Sequence, residues 1–171
     1  MKEYLIVDGY NIINNWEGLK KESMHSLDCA RKRLLDIMSN YQSYKGIEVI
    51  VVFDAHYVKN SMEKHEIHDK VEVVYTKEFE SADNYIEKFV KENADEYIIR
   101  VATSDSLEQR VILGLGGARI SARELKEEVE EVSHKMDKGY INKTRHERNL
   151  LEYNLDPKII NKLERMRRQK S

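Results

Sequence analysis

Scarcity sets the first bounds on this chain. One cysteine, Cys29, has no partner for an internal disulfide, which fits a reducing compartment. By its position in a helical pattern it reads as core packing. One proline and seven glycines supply no stretch with the composition of an interdomain linker. No apolar run approaches the ~20 residues that a membrane helix needs. The longest, Ile47 to Phe53, is interrupted by Glu48. A basic segment followed by a signal-type apolar stretch is missing at the start, so a cytoplasmic protein is expected. No Gly-Lys-Ser or Gly-Lys-Thr occurs, which removes the Walker A phosphate loop. Gly114-x-Gly116-Gly117 comes late and after a helix, so it is not the dinucleotide fingerprint. Asp8 has no second aspartate two residues on, which disfavours an aspartyl-phosphate phosphatase. Internal repeats and low-complexity segments are absent too.

What remains is a polar chain of 171 residues, 40% apolar and 35% charged, long enough to bury one real core. Its net charge of −2 conceals an asymmetry. Residues 138–171 carry ten Lys and Arg against four Asp and Glu, and the remainder carries 19 against 27. An acidic body with a basic tail suits a metal site on the one and a polyanion contact on the other. A solvated C-terminal helix has the same composition.

Strand and helix patterns alternate along the chain. Tyr4-Leu5-Ile6-Val7 reads as a buried central strand ending in Asp8-Gly9-Tyr10-Asn11. A polar connection from Asn14 to Lys21 leads to a helix over Ser23–Tyr44, with Arg31, Lys32 and Arg33 along it. Ile47 to Phe53 is the strongest strand signal and ends in Asp54. Ala55 to Lys70 reads as an exposed loop. Its His65-x-x-His68 pair lacks a nearby third zinc ligand. Val71 to Tyr75 is a strand, and Ser81 caps a helix through Ala94. Glu96 to Ala102 is a strand, followed by Thr103-Ser104-Asp105 and a helix from Ser106 to Leu115. A short strand at Ala118–Ile120 precedes the capping box Ser121-Ala122-Arg123-Glu124 and a charged helix to about Lys138. Asp156-Pro157 opens a final helix. This order predicts an α/β fold: a mostly parallel, doubly wound sheet covered on both faces.

Three acids share one address in such a fold. Asp8 and Asp105 follow strands, and Asp83 lies in the first turn of a helix. Strand ends and helix starts above the carboxyl edge converge on one crevice. Carboxylates crowded there repel unless a cation binds, and oxygen ligands of this kind suit Mg²⁺ or Mn²⁺. The chemistry such a cluster supports is metal-assisted phosphodiester cleavage. Asn11, with a side-chain amide, and Ser104, with a hydroxyl, are candidate supporting groups. Glu80, Glu87, Asp54 and Glu108 are candidate further acids. Each of these also fits a surface carboxylate or a helix cap. Candidate RNA contacts are Arg31 and Arg33 on the helix and Lys143, Arg145, Arg165, Arg167 and Arg168 in the tail.

Asp8-Gly9-Tyr10-Asn11, Ser81-Ala82-Asp83-Asn84-Tyr85-Ile86-Glu87 and Thr103-Ser104-Asp105-Ser106-Leu107-Glu108-Gln109 resemble the three signature motifs of NYN-domain proteins, nucleases of the PIN-like superfamily. Gly117 to Leu125 resembles a fourth block of the bacterial YacP-like group. The similarity runs over roughly Met1 to Asp137. The resemblance implies a three-layer PIN-like domain over residues 1–137, with 138–171 as a basic extension packed on it or trailing. It also implies a divalent metal held by Asp8, Asp83 and Asp105, with Asn11 in support, and endoribonuclease activity. A fourth acid, usual in PIN-like domains, stays open among Glu80, Asp54, Glu87 and Glu108. The YacP-like group further implies mRNA as substrate, on translating ribosomes. The alternative function is a catalytically silent RNA- or ribosome-binding module with the same fold.

Overall fold

The computed structural model describes residues 1–55, 59–154, 162 and 165–167, the side chains of 140–142 and 146–154 excepted. The chain divides into two compact units, Met1–Ser133 and His134–Ser171. The elements in order are β1 (Glu3–Asp8), α1 (Gly9–Asn15), α2 (Glu17–His25), α3 (Leu27–Lys45), β2 (Glu48–Phe53), β3 (Lys64–His68), β4 (Val71–Tyr75), α4 (Ala82–Asn93), β5 (Ile98–Ala102), α5 (Ser106–Gly114), β6 (Ala118–Ile120) and α6 (Ala122–Asn154).

The strands form one sheet in the order β3-β4-β2-β1-β5-β6, parallel throughout except for β3 against β4. β1 is central because both of its neighbours can cover it. Leu5, Ile6 and Val7 are each 0% exposed. Full burial of such a side chain contributes about 1.5–3 kcal/mol. Successive residues point to opposite faces. Leu5 and Val7 pack with α1, α2, α3 and the start of α6, while Ile6 packs with α4 and α5. The chain runs from β1 to β2 on one side and returns through α4 to β5 on the other. β1 therefore marks the topological switch point, with Asp8 at its carboxyl end.

Several expectations are refined. The expected loop before Val71 contains β3, an exposed edge strand whose sequence, KHEIH, shows no apolar alternation. The polar connection after Asn14 contains α2. Trp16, between α1 and α2, is buried, and its Nε1 donates to the Ala122 carbonyl at 2.8 Å. Cys29 is not core: it lies exposed in the first turn of α3, where its amide donates to the Ser26 cap. The charged helix extends to Asn154 rather than ending near Lys138, since nothing in KGYINKTRHERN interrupts the pattern except Gly139. The expected final helix at Asp156-Pro157 lies outside the described residues.

α6 is tied to the sheet within the first unit. Arg100 on β5 pairs with Glu128 at 3.2 Å and with Glu3 at 3.3 Å. The Tyr41 hydroxyl donates to Glu128 at 2.6 Å and accepts from Arg100 at 2.9 Å.

Candidate metal centre

Asp8 arrives at the site because β1 ends and α1 begins with no loop between them. Asp8 is the residue before α1, yet its carboxylate makes no capping hydrogen bond. Gly9 is needed for close approach rather than for an unusual turn. A Cβ there would come within 2.6 Å of Phe53 Cδ1 and closer still to the neighbouring ring carbon Cε1. Asp83 is brought in by α4, whose Ser81 cap accepts from the Asn84 amide at 3.1 Å. Asp8, Tyr10, Asn11, Asp54, Ser81, Ala82 and Asp83 line one open crevice of ≈ 450 Å³ at the carboxyl edge of the sheet.

Glu108 is the third acid of the cluster. Oxygens of Asp8, Asp83 and Glu108 all lie within 4.8 Å of one another. Glu108 is 2% exposed. Its Oε2 accepts from the Thr103 hydroxyl at 2.9 Å, and its Oε1 is buried with no hydrogen-bond partner. Burial and then the charge of Asp83, with a smaller push from Asp54, raise the Asp8 carboxyl to about 7, against the Asn11 backbone amide and a hydrogen bond from Glu108. Burial and then the charges of Asp8 and Asp83 push Glu108 up to about 9, against the Thr103 hydrogen bond. Three carboxylates, one with an orphaned buried oxygen, form a donor set that fits a hard divalent cation.

Asp105 stands apart from this group. It is the N-cap of α5, and its Oδ1 accepts from the amides of Leu107 at 2.9 Å and Glu108 at 3.3 Å. It thereby orients the helix turn that carries Glu108. Asn11 has a similar supporting place: its Oδ1 accepts from the Ser104 amide at 2.8 Å, joining the turn after β1 to the turn after β5. The Ser104 hydroxyl accepts from the Ala122 amide at the start of α6.

Of the other candidate acids, Asp54 follows β2 and lines the crevice. Glu80 carries a buried Oε1 with no hydrogen bond and is not among the lining residues. Glu87, one turn past Asp83 on α4, is half-buried and outside the cluster. The signal that singles out Glu108 is its spacing from Ile112, which is fully buried one turn later on the same face.

Arg31 donates to the Tyr10 hydroxyl at 2.9 Å and pairs with Asp28. Arg33 pairs with Glu22 at 2.9 Å. Lys143, Arg165 and Arg167 are exposed and Arg145 is exposed as well, while Arg168 lies outside the described residues. The two histidines do not share a ligand. His65 bonds Glu63 and Glu72, whereas His68 bonds Asp36 at 2.6 Å, and Asp36, His68 and Asp69 form a second close group at the surface.

A doubly wound sheet with an acidic cluster at its switch point defines an α/β protein with a metal-type site. Comparison with known proteins then specifies the family: residues 5–168 match the model of the YacP-like NYN domain, and the chain belongs to that family. The match continues through the basic tail, beyond the motifs that end near Asp137. The chain is 42% identical over 167 residues to YacP of Bacillus subtilis, covering 97% of each protein. Crystal structures of Rae1 (YacP) from Bacillus subtilis superpose well. One matches with a TM-score of 0.71 at 43% identity, covering 96% of this chain and 94% of that one. A variant of that protein matches with a TM-score of 0.73 at 43% identity, covering 85% of each chain. Membership of the NYN family points to a nuclease-type, RNA-related function. Among the described residues, no helix is long and apolar enough to cross a membrane.

Proposed function

We propose that this protein is a divalent-metal-dependent endoribonuclease that cuts mRNA, in association with translating ribosomes. The observation that carries the reading is the convergence of Asp8, Asp83 and Glu108 at the switch point, with a buried Glu108 oxygen that no donor satisfies. These three residues would hold Mg²⁺ or Mn²⁺, which supplies activation of water and charge neutralisation at a phosphodiester. Asp54 lines the same crevice and is the candidate for a fourth acid. Asn11 and Asp105 act as positioning residues, holding the two turns that present Asp8 and Glu108. The Ser104 hydroxyl keeps its own proton to donate, since toward the Ala122 amide it is the acceptor. The cytoplasm is the compartment where such a substrate is met.

Comparison of the wild type with Asp8→Asn on an mRNA, naked and under active translation, tests the proposal. Mg²⁺ or Mn²⁺ is present in one set and EDTA in the other. The expected result is discrete cuts by the wild type with metal, lost in Asp8→Asn and in EDTA. The format that supports cutting shows whether the ribosome is required. RNA or ribosome binding with no cleavage under any metal would instead identify a silent binding module.

A further inference from the structure

A row of aromatic rings begins at the metal centre and runs along the carboxyl edge of the sheet. Phe53 is its buried middle member, seated beneath the start of α1 where Gly9 has no Cβ. Tyr10 lies against Phe53 with ring centroids 5.0 Å apart and planes tilted by 51°. Tyr75, at the end of β4, stacks on Phe53 at 5.6 Å and 27°. Phe53 is 0% exposed, whereas Tyr10 and Tyr75 keep part of their surface open. Tyr10 also lines the crevice that holds Asp8 and Asp83.

Two cations flank the outer rings. Arg31 donates to the Tyr10 hydroxyl at 2.9 Å. Lys64, paired in register with Tyr75 across the β3–β4 ladder, places its Nζ 5.9 Å from the Tyr75 ring centroid. Burial and then the charge of Glu66 raise the Tyr75 hydroxyl, and the charges of Arg31 and Lys64 oppose that rise. The acid partners of these cations, Asp28 and Glu66, sit at exposed positions. The Lys64–Glu66 pair is exposed on both sides and worth little, so a polyanion can displace it, whereas the Arg31 side chain is only 22% exposed and meets an exposed Asp28.

We propose that Tyr10, Arg31, Tyr75 and Lys64 form a subsite for single-stranded RNA that leads the strand into the metal centre. The proposal rests on the ribonuclease reading for the identity of its ligand. A base stacks on such rings only when it is unpaired, and at Tyr75 it would take the face that Lys64 covers as Lys64 moves to a phosphate. Cations beside the rings match the spacing problem of a strand whose phosphates alternate with its bases. The carboxylate cluster itself repels that strand, so attraction has to come from an adjoining surface.

Affinity for a short unstructured RNA, and for the same sequence as a blunt duplex, tests this with the full chain in EDTA. Wild type should prefer the single strand. Tyr75→Ala should weaken single-strand binding about tenfold, with Tyr75→Phe close to wild type. Arg31→Gln should weaken binding and reduce the dependence of log affinity on log salt by roughly 0.7, with Arg31→Lys intermediate. The conservative variants and a melting curve for each protein separate a missing RNA interaction from a damaged fold. Equal binding by wild type, Tyr75→Ala and Arg31→Gln, or a wild-type preference for duplex, would overturn the subsite. The nuclease reading is checked separately by cleavage of mRNA with metal. Single-strand binding through these residues without cleavage sinks only the nuclease reading. Cleavage that Tyr75→Ala and Arg31→Gln leave untouched, with unchanged binding, sinks only the subsite.

Discussion

At the scale of single residues, Glu108 joins the cluster in the place expected for Asp105, and Asp105 caps α5. Both sit just after β5, three positions apart, yet one faces the cluster and the other caps a helix. Asn is as good an N-cap as Asp. Asp105→Asn should therefore keep α5 in place and retain most metal-dependent cleavage, whereas Glu108→Gln should lose it. The reverse result in a cleavage assay would return the ligand role to Asp105. Asp8 and Asp83 were legible in the sequence because a strand end and a helix first turn have recognisable signals. Glu108 was harder to rank, because a buried glutamate looks like any polar residue beside Leu107. Leu107, the apolar neighbour, is 69% exposed, and its amide serves the Asp105 cap.

The same carboxylates make a pH prediction. A raised acid keeps its proton in the folded state over a range where the unfolded chain has lost it. Unfolding then releases protons, so this contribution to stability is present at low pH and lost as pH rises. The window runs from the ordinary carboxylate range to about 7 for Asp8 and on to about 9 for Glu108. In EDTA, the melting temperature should fall between pH 5 and pH 8, and Glu108→Gln should flatten the fall. Added Mn²⁺ should restore stability most at the alkaline end, where the ligands no longer compete with protons. A wild-type melting temperature that climbs over this range in EDTA would contradict the repulsive cluster.

Elements carry the site through their junctions. The β1–α1 junction works because Gly9 leaves room for the Phe53 ring, and Phe53 in turn supports Tyr10. Gly9→Ala should destabilise by about 1–3 kcal/mol, as overpacking of a tight core does. Truncation of the ring in Gly9→Ala/Phe53→Leu should recover part of that loss, and a double-mutant cycle in denaturant measures the coupling. Strict additivity would mean that the two residues do not compete for space. The glycine itself stood out in the sequence, but not its reason, because the packing joins the start of α1 to the end of β2. β3 was hidden for a related cause. Its burial is low all along its length, so the alternation that betrays a strand is missing, and only pairing with β4 defines it.

For the whole molecule, the α/β architecture was legible because apolar strands alternate with amphipathic helices. The basic extension was legible as charge alone. Removal of residues 158–171, which carry six of the tail's cations, should flatten the salt dependence of RNA binding. Each phosphate left without its cation lowers the slope by roughly 0.7 on a single strand. A slope equal to that of the full chain would show that these cations touch no phosphate.

The sheet order has a consequence for how the protein is born. β1 is made first but sits in the middle, and its partner β5 comes from much later in the sequence. Asp8 leaves the ribosome well before Glu108, by roughly 5–20 seconds at ordinary rates of synthesis. A nascent chain that has delivered everything from β1 to α4 holds Asp8, Asp54 and Asp83 but lacks Glu108, the buried member of the cluster. The cluster of Asp8, Asp83 and Glu108 is thus assembled only once α5 has emerged, and no truncated product that stops short of α5 can carry it.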